Sequence, residues 1–168
     1  MHYLTIVLRF LHVVSGAFWF GSAMMMSFFI SPSVAATSDA GQRFMGHLVK
    51  QGRVVTAISA LAGITVLAGA GLYWIDSAGF SSPWTWSGTG LVFGLGGAFG
   101  LIGFIFGIQI GTNINKIVKT GSEIQGKPTP EQMGLIQAAQ KRLKVVGPIS
   151  AYSLILAVIC MSVARYWF

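Results

Sequence analysis

Carboxylates are nearly missing from this chain: Asp39, Asp76, Glu123 and Glu131 are the only four in 168 residues. All four lie outside the long apolar runs, so no acid is placed inside a membrane to relay protons. There is one cysteine, Cys160, within an apolar run; an intrachain disulfide is excluded and the redox compartment stays open. Charged residues make up 9% of the chain, against about 25% in soluble domains. No Walker loop, zinc-type cluster or serine triad is present. What remains is a chain 54% hydrophobic with mean hydropathy +0.70, the composition of an integral membrane protein.

Four segments have the length to cross a hydrocarbon core of about 30 Å: roughly 4–30, 54–75, 91–110 and 145–164. Period-two alternation is absent and four strands cannot close a barrel, so the fold class is all-α. The expectation is a polytopic four-transmembrane-helix bundle, one membrane domain over residues 1–168. "SPSVAATSDA" resembles a signal-peptide cleavage region. The run before it, residues 10–30, holds 21 residues, longer than a signal core of about 7–15. It reads as a retained span.

The net charge of +7 does not point to nucleic acid, because the cations lie between spans. Arg43, Lys50, Arg53, Lys116, Lys119, Lys127, Lys141, Arg142 and Lys144 all fall on one side; "DSAGFSSPWTWSGTG", on the other, has none. The positive-inside rule makes the basic side cytoplasmic, giving an N-out/C-out topology and attraction to anionic lipid. Tyr73, Trp74, Trp84, Trp86, Tyr166 and Trp167 then form an outer aromatic belt. Helices should extend into the cytoplasm. "QRFMGHLVKQGR" reads as an amphipathic helix entering the second span. "TPEQMGLIQAAQKRLK" starts at Thr129 as N-cap, with Pro130 first and Glu131 in the first turn. It should run into the fourth span, with a kink or slight break at Pro148, and "TGSEIQGKP" reads as a flexible turn.

His12, in "LHVVSGAFWFG", is the one histidine inside a span, within about a turn of the outer edge. An ionisable group there marks function by default, or else makes an interhelical hydrogen bond to a serine or a carbonyl. Arg9, His12, Ser15, Gly16, Trp19, Ala23 and Met26 share one helical stripe. On the fourth span, Met161 and Arg165 are four residues apart at a matching depth. An imidazole and an arginine opposite a thioether and an arginine is the donor set of a b-type haem: His12 to iron, Met161 as sixth ligand, Arg9 and Arg165 for the propionates. The plainer alternative has Met161 as filler and the arginines snorkelling to phosphates.

Gly69, Gly71, Gly94, Gly96 and Gly97 cluster in the outer half and leave room for a flat ring, although small residues at four-residue spacing usually serve close packing. His47 lies about 30 Å from His12, and His2 is on the same helix as His12, so neither completes a bis-histidine site. Met24, Met25 and Met26 suit Cu(I) by softness, but consecutive helical residues point three ways.

Leu11-His12, Trp19 and Gly21 resemble the opening helix of a superfamily of small bacterial four-helix membrane proteins, CopD-like and HemJ-like. "GKPTPEQ", "QKRLKVVG" and "MSVARYW" are similar to uncharacterised relatives of that group. The resemblance implies location in the bacterial inner (cytoplasmic) membrane and, from the HemJ-type histidine, haem b at His12. This chain departs from that pattern: its third span has no Lys or His, which separates it from protoporphyrinogen oxidase chemistry.

The expectation is a membrane haem b protein for redox work or electron transfer, a haem-dependent oxidoreductase if it acts on a substrate, with a quinone or a redox protein as partner. Copper handling through Met24–Met26, Cys160 or Met161, and an accessory subunit of a membrane complex, are the alternatives. Gly103, Gly107 and Gly111 suggest a homodimer packed through that stripe.

Overall fold

A computed structural model describes residues 2–167, and all regular structure among them is helical. Helix α1 (His2–Met25) passes through a π-helical turn (Met26–Ile30) into α2 (Ser31–Ala36), one rod of 35 residues. Then follow α3 (Ser38–Lys50), α4 (Val54–Asp76), a 3-10 turn (Pro83–Trp86), α5 (Gly88–Glu123), α6 (Pro130–Val163) and a last 3-10 turn (Ala164–Tyr166). Four rods are long and apolar enough to cross a membrane: His2–Ala36, Val54–Asp76, Gly88–Glu123 and Pro130–Tyr166.

The helices outrun the apolar segments that announce them. α5 has 36 residues, about 54 Å at 1.5 Å per residue, whereas the hydrocarbon core is about 30 Å. Hydropathy marks only the lipid-crossing part, and after Gly111 the chain has no further Gly or Pro until Gly121. The surplus carries Lys116 and Lys119 on α5; on α6, Arg142 donates to Gln109 Oε1 at 2.9 Å.

Local chemistry sets the ends. The π turn sits directly before Pro32, which has no N–H to give. The widened turn is closed by Ser31 N–H donating to Met26 O, five residues back. Thr129 caps α6 as expected: its hydroxyl accepts from Gln132 N–H while Gln132 Oε1 accepts from Thr129 N–H, a capping box. α6 runs through Pro148 without a break. α3 stops at Lys50 rather than entering the second span, because Arg53 takes a left-handed conformation (φ +47°).

α1 packs antiparallel on α4, α4 on α5, and α5 on α6 in the most extensive contact of the molecule; α1 and α6 scarcely touch. Trp19, Ala62 and Leu154 form the buried core, with Phe104 edge-on to Trp19 at 6.2 Å. Phe28 meets Tyr152 nearer the basic end. Large apolar side chains such as Phe10, Leu67 and Ile105 point outward, which lipid tolerates and water does not.

Candidate cofactor site around His12

His12 sits where α1 crosses α4, and the partner residue is a glycine. A Cβ on Gly69 would lie 2.7 Å from His12 Cε1 and 2.8 Å from Nδ1, so the imidazole occupies the space a side chain would take. Without that Cβ the ring reaches the backbone of α4, and Nδ1 lies 2.8 Å from Thr65 O. A carbonyl only accepts, so Nδ1 carries the proton. In the neutral ring Nε2 then holds the lone pair, and it lies farther from Gly69, 3.7 Å from the Cβ position. The ring turns its Nδ1 edge to α4 and Nε2 away from it. Histidine metal ligands are commonly oriented in this way, by a backbone acceptor on the other nitrogen.

One turn further on, Ser15 and Thr65 are buried together, their hydroxyls 2.8 Å apart. Ser15 Oγ also reaches Leu11 O, and Thr65 Oγ1 donates to Leu61 O at 2.7 Å. Two hydroxyl protons therefore serve three contacts, and one contact at a time goes without. Gly16 completes the crossing, with Thr65 Cγ2 3.3 Å from its Cβ position.

The other expected site residues lie elsewhere. Met161 is half-buried against α5, its Cε 3.2 Å from the Gly96 Cβ position, with Cys160 Cβ at 3.1 Å. Arg9 is exposed in a groove of about 470 Å³ with His2, Thr5, Ile6 and Phe10. Arg165 is exposed in the terminal 3-10 turn. Thus α4 holds His12 and α5 holds Met161, while both arginines face outward. No group of three or more His, Cys, Asp or Glu side chains gathers among the described residues. Met24 packs at the Trp19 core while Met25 points outward, so the methionine triplet diverges.

The glycines expected to leave ring space are mostly filled from within the chain. Gly69 takes His12, Gly71 takes Leu8, Gly94 takes the Tyr73 hydroxyl, and Gly96 takes Met161 and Cys160; Gly97 alone faces open space. Thr65 went unread in the sequence. Its signal was a hydroxyl mid-span in "LAGITVLAGAG", four residues before Gly69, which becomes legible once the α1–α4 register is known. Comparison of the chain with family models, curated proteins and solved structures matched nothing in any of the three.

Proposed function

We propose that the protein is a membrane haem b protein that moves electrons between a quinone or another redox partner and an acceptor, with His12 Nε2 as the nitrogen that would hold the haem iron. One observation carries the reading: a half-buried imidazole whose Nδ1–H is committed to Thr65 O, with Nε2 left as the lone-pair nitrogen. The donor set fits on this side. It fits less closely on the other, because Met161, which would be the second residue to hold the iron, is packed on Gly96 of α5. Support for a ring reaching both comes from the helices that carry them, since α1 and α6 are the adjacent pair that scarcely touch. Arg9 on α1 and Arg165 just beyond α6 are the cations that would meet propionates. When bound, haem b supplies one-electron redox chemistry; the chain's part is to fix the imidazole and exclude water with the apolar faces around it. The N-out/C-out topology belongs to the same reading, and would put the site near the periplasmic face of an inner membrane.

The test is an absorption spectrum of the detergent-purified chain after haem-sufficient expression. A reducible Soret and α-band pair is expected, abolished in His12→Ala and shifted in Met161→Leu. A colourless wild-type chain ends the proposal, and a spectrum unmoved by His12→Ala ends the assignment of the ligand.

A further inference from the structure

We propose that the elbow between α2 and α3 is a binding site for one acyl chain of an anionic phospholipid. The elbow is built by two residues. Ser38 adopts a left-handed conformation (φ +47°) and turns the chain sharply. Gly41 then lets α3 pass against α2, since a Cβ there would lie 2.5 Å from Val34 O and 2.7 Å from Val34 Cα. Beside this contact lies a cleft of about 320 Å³ walled by Phe29, Ile30, Val34, Ala40, Gly41 and Phe44. Phe29 and Phe44 remain 64% and 54% exposed at it.

The lining selects the occupant. Only Ser33 and Thr37 bring hydroxyls, and both are spent on their own helix: Ser33 Oγ donates to Phe29 O and Thr37 Oγ1 to Ser33 O, each at 2.7 Å. A peptide laid in the cleft would find no donor for its C=O groups and only two hydroxyl oxygens for its N–H groups, a costly burial. A hydrocarbon chain has no such groups. Position agrees, because the rod His2–Ala36 measures about 52 Å, more than a hydrocarbon core of about 30 Å, and so carries α2 to the polar boundary. Charge decides the headgroup. α3 is amphipathic, with Ala40, Phe44 and Leu48 on one arc and Arg43, His47 and Lys50 on the other. Nine Lys/Arg face three carboxylates at this end of the bundle, against two and one at the other. An anionic phosphate is the partner such a face attracts.

Spin-labelled lipids test this in the full chain reconstituted in phosphatidylcholine bilayers, with trace labelled phosphatidylglycerol or labelled phosphatidylcholine. Labelled phosphatidylglycerol should be motionally restricted in preference to phosphatidylcholine, by about fivefold for each cation engaged, and the preference should fall as salt rises. Arg43→Gln should lower it. Ala40→Phe and Val34→Phe, which fill the cleft, should remove the excess restricted phosphatidylglycerol in chains of unchanged helicity. Equal restriction of the two lipids overturns the proposal, as does a preference that survives both filled variants. Should the filled variants misfold, a preference unchanged by Arg43→Gln overturns it instead. A partner protein seated in the cleft would appear as loss of the restricted component on its addition, with no headgroup preference before it, and that too overturns it. None of these outcomes depends on haem.

Discussion

The α1–α4 and α5–α6 pairs are closed by one device, a glycine facing a large side chain, and differ in what fills the slot. On α5, Gly103 receives Leu154, whose Cδ2 would lie 2.7 Å from an added Cβ. Leu154 is also a core residue. On α4, Gly69 receives His12. Leucine in such a slot contributes dispersion and nothing else. Imidazole in the same slot brings two nitrogens that need accounting for, and the chain satisfies one of them with Thr65 O. The same packing geometry thus yields an apolar joint in one pair and a joint with an oriented imidazole in the other.

Filling each slot gives the largest effects. Gly69→Val and Gly103→Val should each destabilise the bundle, towards the upper end of the ~1–3 kcal/mol typical of overpacking, read by equilibrium unfolding in mixed detergent micelles. They should part in the 15N NMR of His12. Gly69→Val forces the ring off Thr65 O and mixes its tautomers, while Gly103→Val leaves the Nδ1–H form unchanged. If Gly103→Val also changed the tautomer, the two pairs would not be independent joints.

The helical class, the number of spans and the α6 cap were legible because each rests on local rules: apolar length, and the Thr129–Pro130–Gln132 start. Helix ends beyond the apolar segments were less so, since Lys116 and Lys119 look like loop cations until the helix is seen to continue. The site was half legible. His12 stood out as an ionisable residue in a span, with an interhelical bond to a serine or a carbonyl as one expectation for it; that the acceptor is Thr65 O, no side-chain pattern announces. The glycines misled for a related reason. Gly69, Gly71, Gly94 and Gly96 advertise space, and sequence does not say that His12, Leu8, Tyr73 and Met161 of the same chain already fill it.

Hydroxyls sharpen the comparison at smaller energies. In the α5–α6 joint, buried Ser150 donates to Gly103 O at 2.9 Å, one proton for one acceptor. Ser150→Ala should cost about 1 kcal/mol. In the α1–α4 joint, Ser15 and Thr65 spread two protons over three contacts. Removing either hydroxyl relieves the shortage it shared, so Ser15→Ala and Thr65→Val should each cost about 0.6 kcal/mol. The double variant should cost more than their sum, because its second deletion has no shortage left to relieve. A double-mutant cycle in the same unfolding assay measures this; strict additivity would mean the two hydroxyls do not compete.

The smallest effect has the most telling sign. Gly103, Gly107 and Gly111 read in sequence as one stripe for a second copy of the chain. In the fold the stripe divides: Gly103 faces Leu154 of α6, Gly111 faces Val55 of α4 at 3.1 Å, and nothing lies within 4 Å of a Cβ on Gly107. Alanine at 103 must push Leu154 Cγ, only 2.8 Å away, and should destabilise. Alanine at 107 meets no atom of the chain and removes a glycine from a helix interior, a gain of up to about 0.5–1 kcal/mol. The gain will be at the low end in detergent, where unfolded membrane helices keep much of their backbone order. Gly107→Ala should therefore raise stability slightly and leave the mass measured by light scattering unchanged, while Gly103→Ala lowers stability. A Gly107→Ala chain that is destabilised and loses mass would show that another copy packs on the open part of the stripe.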